Sequence, residues 1–216
     1  MNGNDIVIRE FRSIDREKVR RIACETAFLE ENREDFFDDN EILADALTLY
    51  YTDYEPDSCF VAVHSDTIAG YIIGAKDVKM MQQIFNIKII PKLIIKTISK
   101  GLFLKKNIRK FLMHVIISFF KGEFFTPDFS RQYPATLHIN IDKDSRKHKI
   151  GTALVERYLN FLRENRISGV HFSVISESAK TFFTKLGFAI LFEGKRSYLR
   201  YYLGKDIPCY VLGKRL

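Results

Sequence analysis

Hydrophobic and polar positions in the first third of the chain predict strands and helices in a mixed order. Alternation at period two predicts a strand at residues 6–11, and Asp15 is a candidate N-cap for the helix that follows it. Apolar residues at helical spacing predict a second helix at residues 40–51. Two further apolar runs, 59–64 and 68–74, flank turn-forming residues and therefore predict a β-hairpin.

The last third of the chain predicts a unit of strand, helix and strand. Residues 135–141 alternate, with Leu137, Ile139 and Ile141 on one face, as expected of a central strand. A helix at residues 151–165 and a strand at 170–174 complete a βαβ crossover, which implies parallel neighbours. The chain then continues with a helix that ends at Gly187 and antiparallel strands near 189–193 and 209–213.

These elements predict an α/β (α+β) fold class. The central sheet is mixed and mostly antiparallel, with one parallel crossover and flanking helices. The length of 216 residues suits a single domain over residues 1–216. Within it, residues 78–130 form an insertion between the hairpin and the central strand, whose apolar spacing predicts amphipathic helices broken near Pro91 and Gly101.

Positive charge is concentrated in this insertion, although the formal net charge of the whole chain is only +7. Residues 78–122 contain no aspartate or glutamate, and their cations are Lys79, Lys88, Lys92, Lys96, Lys100, Lys105, Lys106, Arg109, Lys110 and Lys121. Three interpretations stay open: a helical cover that shapes a substrate pocket, a peripheral membrane contact through residues 84–122, or a surface for an acidic partner. Nucleic acid is not expected, because the cations alternate with aliphatic residues.

Cysteine usage and the start of the chain bear on the compartment. The three cysteines are scattered and never stand at the two-residue spacing of metal or redox motifs. The first residues lack the basic stretch and apolar run of a secretory signal. We therefore expect a cytoplasmic protein that binds no metal.

A loop rich in cations, residues 142–149, precedes the helix that begins near Gly151. The first backbone N–H groups of a helix have no partner within it and favour negative charge. Loop and helix together predict an anion site that suits a pyrophosphate, with Gly151 allowing close approach to the backbone. The alternative is a solvated basic loop before an ordinary helix.

Two separate blocks of residues resemble motifs of the GNAT superfamily of acetyltransferases, and they occur in the same order as in that family. The first family motif is Arg or Gln, two residues, Gly, one residue, then Gly or Ala, and its positions hold Arg146, Lys149 and Gly151. The second block is matched by Ser176, Ala179, Phe182, Phe183, Leu186, Gly187 and Phe188. The resemblance is closest over residues 133–190, and within the superfamily residues 133–140 are similar to the acetyltransferase-like domains found beside O-GlcNAc hydrolases.

The resemblance implies an acetyl-CoA-dependent N-acetyltransferase with a GNAT-like sheet. Acetyl-CoA would be the cosubstrate, and the acetyl group would pass directly to a small-molecule or peptide amine. The pantetheine arm would lie along Ile139, Asn140 and Ile141, with Ser176, Ala179 and Phe183 beside the arm and its sulfur. The pyrophosphate would be surrounded by Arg146, Lys147, His148, Lys149, Ile150, Gly151 and Thr152.

Three positions depart from the family pattern. Lys149 stands where the first glycine is usual, so either the loop adopts a conformation that lysine tolerates or the cofactor site is weakened. Phe183 stands where a tyrosine protonates the departing thiolate, and Ala135 where a Glu or His base is frequent. A second hypothesis is therefore a catalytically inactive GNAT-like module that binds CoA, a membrane or a partner.

Other residues are candidates for the missing roles. His138 is a candidate base, and Tyr198 or Tyr201 is a candidate proton donor, with packing as the alternative for all three. Tyr54 and Glu55, which precede the hairpin, are candidate substrate contacts, because a carboxylate there could hold an ammonium group. A solvated loop with packed tyrosines is the alternative for this pair.

Overall fold

The computed structural model describes residues 6–27, 37–145 and 149–216. Within these residues the strands are β1 (Val7–Glu10), β2 (Cys59–His64), β3 (Thr67–Ala75), β4 (Thr136–Ile141), β5 (Gly169–Val174), β6 (Ala189–Arg196) and β7 (Ile207–Arg215). The α-helices are α1 (Arg16–Glu25), α2 (Asn40–Tyr54), α3 (Val78–Ile84), α4 (Ile90–Ser99), α5 (Lys106–Phe120), α6 (Ile150–Glu164), α7 (Glu177–Lys185) and α8 (Arg200–Leu203).

The strands form two antiparallel sheets, which are joined at one point. The first sheet has the order β1-β2-β3-β4 and the second the order β5-β7-β6. Ala135 and Val170 form a parallel bridge between the sheets, in which the Ala135 N–H donates to the Gly169 carbonyl at 3.1 Å and the His171 N–H to the Ala135 carbonyl at 2.9 Å. Beyond this bridge β4 and β5 belong to different sheets and do not pair, which leaves a gap between these two strands of the βαβ unit.

The predicted α/β fold class is confirmed, including the hairpin, the central strand and the crossover helix. The hairpin turn places Ser65 and Asp66 at positive φ, 48° and 60°, which polar turn residues tolerate better than most. Strands β6 and β7 are longer than predicted, since they pair with each other over almost their whole lengths. Helix α8, between them, was not predicted.

Helices cover both faces of the first sheet, and the alternation along the strands decides which residue packs on which face. Phe60, Ile72 and Leu137 point to the same core as Leu154 and other residues of α6. The neighbouring strand positions form a second core against α1, which consists of Cys59, Val61, Tyr71 and Ile73 with Val19, Ile22 and Ala23. As predicted, Leu137, Ile139 and Ile141 share one face of β4, so His138 and Asn140 lie on the other.

Helix α6 is fixed to the sheet close to the point where β4 and β5 separate. The buried Tyr158 hydroxyl donates to the Thr136 carbonyl at 2.7 Å. A Cβ on Gly74, on the neighbouring strand, would lie 2.0 Å from that hydroxyl oxygen, so a side chain there would displace the tyrosine. Gly74 and Tyr158 together hold α6 close to the start of β4.

The insertion is helical, as predicted, but Pro91 does not end a helix. Between α3 and α4 the chain forms a π-helical segment, Phe85–Ile89, and Pro91 follows at the second position of α4, where its missing N–H costs little. The predicted break at Gly101 is present, with φ at 63° before a short 3₁₀ turn. Among the described residues, none of the helices has the length and apolarity that a bilayer crossing requires.

Candidate functional site

A cleft of about 680 Å³ opens where β4 and β5 diverge. Strand β4 pairs with β3 on one side and β5 pairs with β7, so the other edges of β4 and β5 face this gap. The wall is completed by residues of α1, α2, α7 and β6. The lining residues are Ala23, Thr26, Ala27, Leu47, Leu137, His138, Ile139, Asn140, Phe172, Ser173, Val174, Ile175, Ser176, Ser178, Ala179, Phe183, Arg196 and Tyr198.

Seven of the sequence-predicted site residues come together in this cleft. Ile139 and Asn140 contribute from β4, Ser176, Ala179 and Phe183 from α7, and both His138 and Tyr198 are present. Ile141, the last residue of β4, is not among the lining residues. An extended chain placed between the edges of β4 and β5 could hydrogen-bond to both, as an added strand does.

Helix α6 begins against α7, the helix that forms one wall of this cleft. The first intrahelical hydrogen bond that involves the N-cap runs from the Ala153 N–H to the Lys149 carbonyl at 3.2 Å, so the N–H groups of Ile150, Gly151 and Thr152 have no partner within the helix. A Cβ on Gly151 would lie 3.1 Å from Cζ of Phe182, which places this helix end against α7. The helix dipole and these N–H groups favour an anion at this position.

Lys149 adopts the conformation that the usual glycine would provide. Its φ of 56° and ψ of 17° lie in the left-handed region, at the N-cap of α6. The loop therefore keeps this backbone shape with lysine, which was one of the two outcomes considered from the sequence. The predicted pyrophosphate contacts Arg146, Lys147 and His148 lie outside the described residues.

The side chains on α7 have clear structural roles. The Ser176 hydroxyl caps the helix by accepting from the Ala179 N–H at 3.2 Å. Phe183 is 3% exposed and packs edge-on against Phe172 at 4.5 Å between ring centroids, and against Phe188 at 5.3 Å. Phe183 therefore gives the cleft an apolar wall and cannot donate a proton.

His138 belongs to a short chain of hydrogen-bonded polar side chains on the face of β4 opposite Leu137, Ile139 and Ile141. The Asn140 amide nitrogen lies 2.9 Å from Nε2 of His138 and donates to the Tyr71 hydroxyl at 2.8 Å. Burial lowers the pKa of His138 to about 4, because the charged imidazolium would lose its hydration. The imidazole is therefore neutral at pH 7, and Tyr71, the hydrogen-bond partner of Asn140, is fully buried.

The two candidate proton donors occupy different environments. Tyr198 lines the cleft, is 8% exposed, and its ring lies 5.8 Å from the ring of Phe124. Burial raises the pKa of Tyr198, so its hydroxyl keeps its proton at neutral pH. Tyr201 instead stacks on His114 with 4.3 Å between ring centroids, and it does not line the cleft.

Arg196 was not identified from the sequence, where a single arginine on a strand carries no pattern. It is the one lysine or arginine among the described lining residues, and none of those residues is an aspartate or glutamate. Its Nε is buried without a hydrogen-bond partner, and its guanidinium lies 5.1 Å from the Phe124 ring centre. Next to it, Glu123 accepts from the backbone N–H of Ser197 at 2.6 Å, which fixes the strand end that carries Tyr198.

The structure does not bring Tyr54 and Glu55 into the cleft. The Glu55 carboxylate accepts from the Tyr50 hydroxyl at 3.0 Å, the Ser58 hydroxyl at 2.7 Å and the Lys76 N–H at 2.8 Å. Tyr54 stacks on Tyr50 with 6.0 Å between ring centroids. These interactions leave the carboxylate occupied by the protein itself, at the end of α2.

None of the three cysteines lines the described part of the cleft. All three cysteines are buried thiols, and burial raises the pKa of Cys59, which makes it a poor nucleophile. Within residues 6–27, 37–145 and 149–216, no three histidine, cysteine, aspartate or glutamate side chains are grouped so that they could hold a metal ion.

Comparison with solved structures reveals extensive likeness of fold. The crystal structure of SsHAT superposes with a TM-score of 0.68 at 22% identity and covers 98% of both chains. The polyamine N-acetyltransferase of Drosophila melanogaster, which forms N-acetylagmatine, gives 0.59 at 16% identity, over 98% of this chain and all of that one. The Salmonella typhimurium protein yncA, solved with its cofactor acetyl-CoA, gives 0.59 at 12% identity, over 99% and 95%. No family model and no curated protein sequence matches the chain.

Proposed function

Because this chain has the fold of the GNAT N-acetyltransferases, we propose that it transfers the acetyl group of acetyl-CoA to an amine. The observation that carries this proposal is the cleft between β4 and β5 with the N-terminus of α6 beside it. The fold supports acyltransferase activity, and the cleft with the helix N-terminus supports acetyl-CoA as the cosubstrate.

The residues present fit acetyl-CoA. The facing edges of β4 and β5 supply backbone donors and acceptors for an extended pantetheine arm, and Phe183 supplies an apolar wall for its sulfur. The N–H groups of Ile150, Gly151 and Thr152 would hold the pyrophosphate, together with the cations that precede them. The yncA structure contains acetyl-CoA in a chain of the same fold.

The thioester, when bound, supplies an activated acetyl group, and the protein has to align an amine with it. His138 is neutral at pH 7 and would accept a hydrogen bond from the amine through whichever ring nitrogen is not protonated. For Nδ1 to be that nitrogen, the Asn140 amide must present its oxygen, rather than its nitrogen, to Nε2–H and accept from the Tyr71 hydroxyl as well. As the C–N bond forms and the C–S bond breaks, Tyr198 would donate its proton to the departing sulfur and regain one from the acetylated amine, which leaves free thiol and N-acetyl product.

The acceptor pocket carries a positive charge in the part of the cleft that is described. Arg196 has no carboxylate partner there, so an acceptor that brings its own carboxylate would satisfy the guanidinium. We therefore propose that the amine acceptor carries a carboxylate, in contrast to agmatine, the acceptor implied by the product of the Drosophila enzyme. Arginine and agmatine are a matched pair for this purpose, since they differ only in the carboxylate.

The alternative of a catalytically inactive module that binds CoA is not favoured, because the fold is shared with N-acetyltransferases. A thiol-release assay with acetyl-CoA and a panel of amines, arginine and agmatine included, separates the two. Turnover of any amine supports the enzyme. Tight binding of acetyl-CoA with no turnover across the panel would support the module instead.

Two expectations from the sequence remain predictions. The first is the cytoplasmic location, which cell fractionation would test. The second is the single domain with an insertion at residues 78–130, which limited proteolysis would test.

A further inference from the structure

Helix α4 is oriented with its charged face toward the protein and its apolar face outward. Lys96 is 2.8 Å from the Asp45 carboxylate, and Lys100 is 2.9 Å from that of Asp39, so both lysines dock on α2. The opposite face consists of exposed isoleucines, which are Ile90, Ile94, Ile95 and Ile98. A helix at the surface of a soluble domain normally has the reverse arrangement.

Helix α5 continues this apolar surface. Its inner side, with Ile108, Phe111 and Ser118, is buried against the rest of the protein. Its outer side exposes Leu112, Met113, Ile116, Ile117, Phe119 and Phe120. Most of the large apolar side chains that are exposed in the described part of the chain lie in this insertion, and such concentrations mark interaction surfaces.

Helices α4 and α5 also carry exposed cations that do not dock the insertion on α2. Lys92, Lys106 and Arg109 are exposed, and no carboxylate of the described residues forms an ion pair with them. Residues 78–122 contain no acidic side chain that would offset these charges. The exposed faces of α4 and α5 therefore combine aliphatic and aromatic side chains with positive charges that no carboxylate of the described residues pairs with.

We propose that the exposed faces of α4 and α5 bind the surface of a bilayer that contains anionic lipids. The apolar side chains would enter the boundary between headgroups and acyl chains, while the lysines and arginine contact lipid phosphates and carboxylates. This charge pattern favours a membrane over a second copy of the chain, since two such faces would bring like charges together. The proposal does not depend on the acetyltransferase activity.

The test is cosedimentation of the full chain with vesicles of phosphatidylcholine, with and without phosphatidylserine. We expect binding to the anionic vesicles that weakens as sodium chloride is raised, and much weaker binding to phosphatidylcholine alone. No binding to anionic vesicles, or equal binding to both kinds, would overturn the proposal. A dimer in sedimentation equilibrium that Ile95→Glu dissociates would also overturn it, in favour of a second copy.

Two matched pairs of variants locate the surface. Ile95→Glu is expected to weaken vesicle binding by about tenfold or more, because a buried isoleucine contributes at least that much. Ile14→Glu is the control, since Ile14 is 84% exposed against 67% for Ile95 but lies outside the insertion. Lys92→Gln should weaken binding by about fivefold, with Lys195→Gln on β6 as its control. Unchanged melting temperatures would show that each variant is folded, and equal binding within a pair would refute the assignment.

Discussion

Replacing Lys149 by glycine is expected to stabilise the protein. Lys149 is at φ 56° and ψ 17°, a left-handed conformation that costs a residue with a Cβ about 1–2 kcal/mol. Glycine avoids this cost but loses more backbone entropy on folding, roughly 0.5–1 kcal/mol. The difference predicts a gain of roughly 0.5–1 kcal/mol in the free energy of unfolding, which for a chain of this size raises the melting temperature by about 1–4 °C.

Two further glycine variants control this experiment. Arg166→Gly replaces another residue at positive φ, 58°, away from the cofactor loop, and is expected to stabilise by a similar amount. Glu156→Gly replaces an exposed residue within α6 and should destabilise by roughly 0.5 kcal/mol, because glycine is a poor helix former. Urea and thermal unfolding would measure all three. If Lys149→Gly destabilises while Arg166→Gly stabilises, the conformational argument at Lys149 is wrong.

Three predictions concern the cleft. Burial lowers the pKa of His138 to about 4 from its ordinary value near 6.5, so the unfolded chain binds this proton at a higher pH than the folded one. The free energy of unfolding should therefore fall by roughly 3 kcal/mol as the pH falls from 6.5 to 4. His138→Gln should remove this part of the pH dependence in urea titrations. Tyr198→Phe should lower kcat by about a hundredfold or more while the Kd of acetyl-CoA stays unchanged, as measured by steady-state kinetics and calorimetry. Arg196→Gln should raise the KM of arginine by about tenfold and leave that of agmatine unchanged; an equal effect on both acceptors would argue against recognition of a carboxylate.

The fold was predictable where the hydrophobic pattern is regular. The apolar runs at 59–64 and 68–74 identified the hairpin, and the alternation of residues 135–141 identified the central strand, because each of these strands packs one face or both against helices. Gly187, which has φ at 81°, ended α7 as predicted. Helix α8 was missed, since four residues are too few to establish a period.

The site was predictable only in part. His138 and Tyr198, proposed for their chemistry, and the α7 residues, proposed from the family motif, all line the cleft, and their roles there stay predictions. The position of Arg196 in the cleft depends on the pairing of β6 with β7. Glu55 is held by three hydrogen-bond donors whose residues do not line the cleft, and the sequence pattern does not reveal these contacts. The orientation of α4 depends on acidic residues of α2, whereas the sequence pattern shows only that the helix has two faces.

The central claim is that the cleft between β4 and β5, with the N-terminus of α6, binds acetyl-CoA. Isothermal titration of the full chain with acetyl-CoA tests it directly, when Thr152→Glu is compared with Thr152→Gln. Thr152 is the third residue of α6, where glutamate suits the helix dipole but would repel a pyrophosphate. We expect micromolar or tighter binding by the wild type, a small effect of glutamine, and a loss of about tenfold or more with glutamate. No binding by the folded wild-type protein, or equal affinities of the two variants, would contradict the claim.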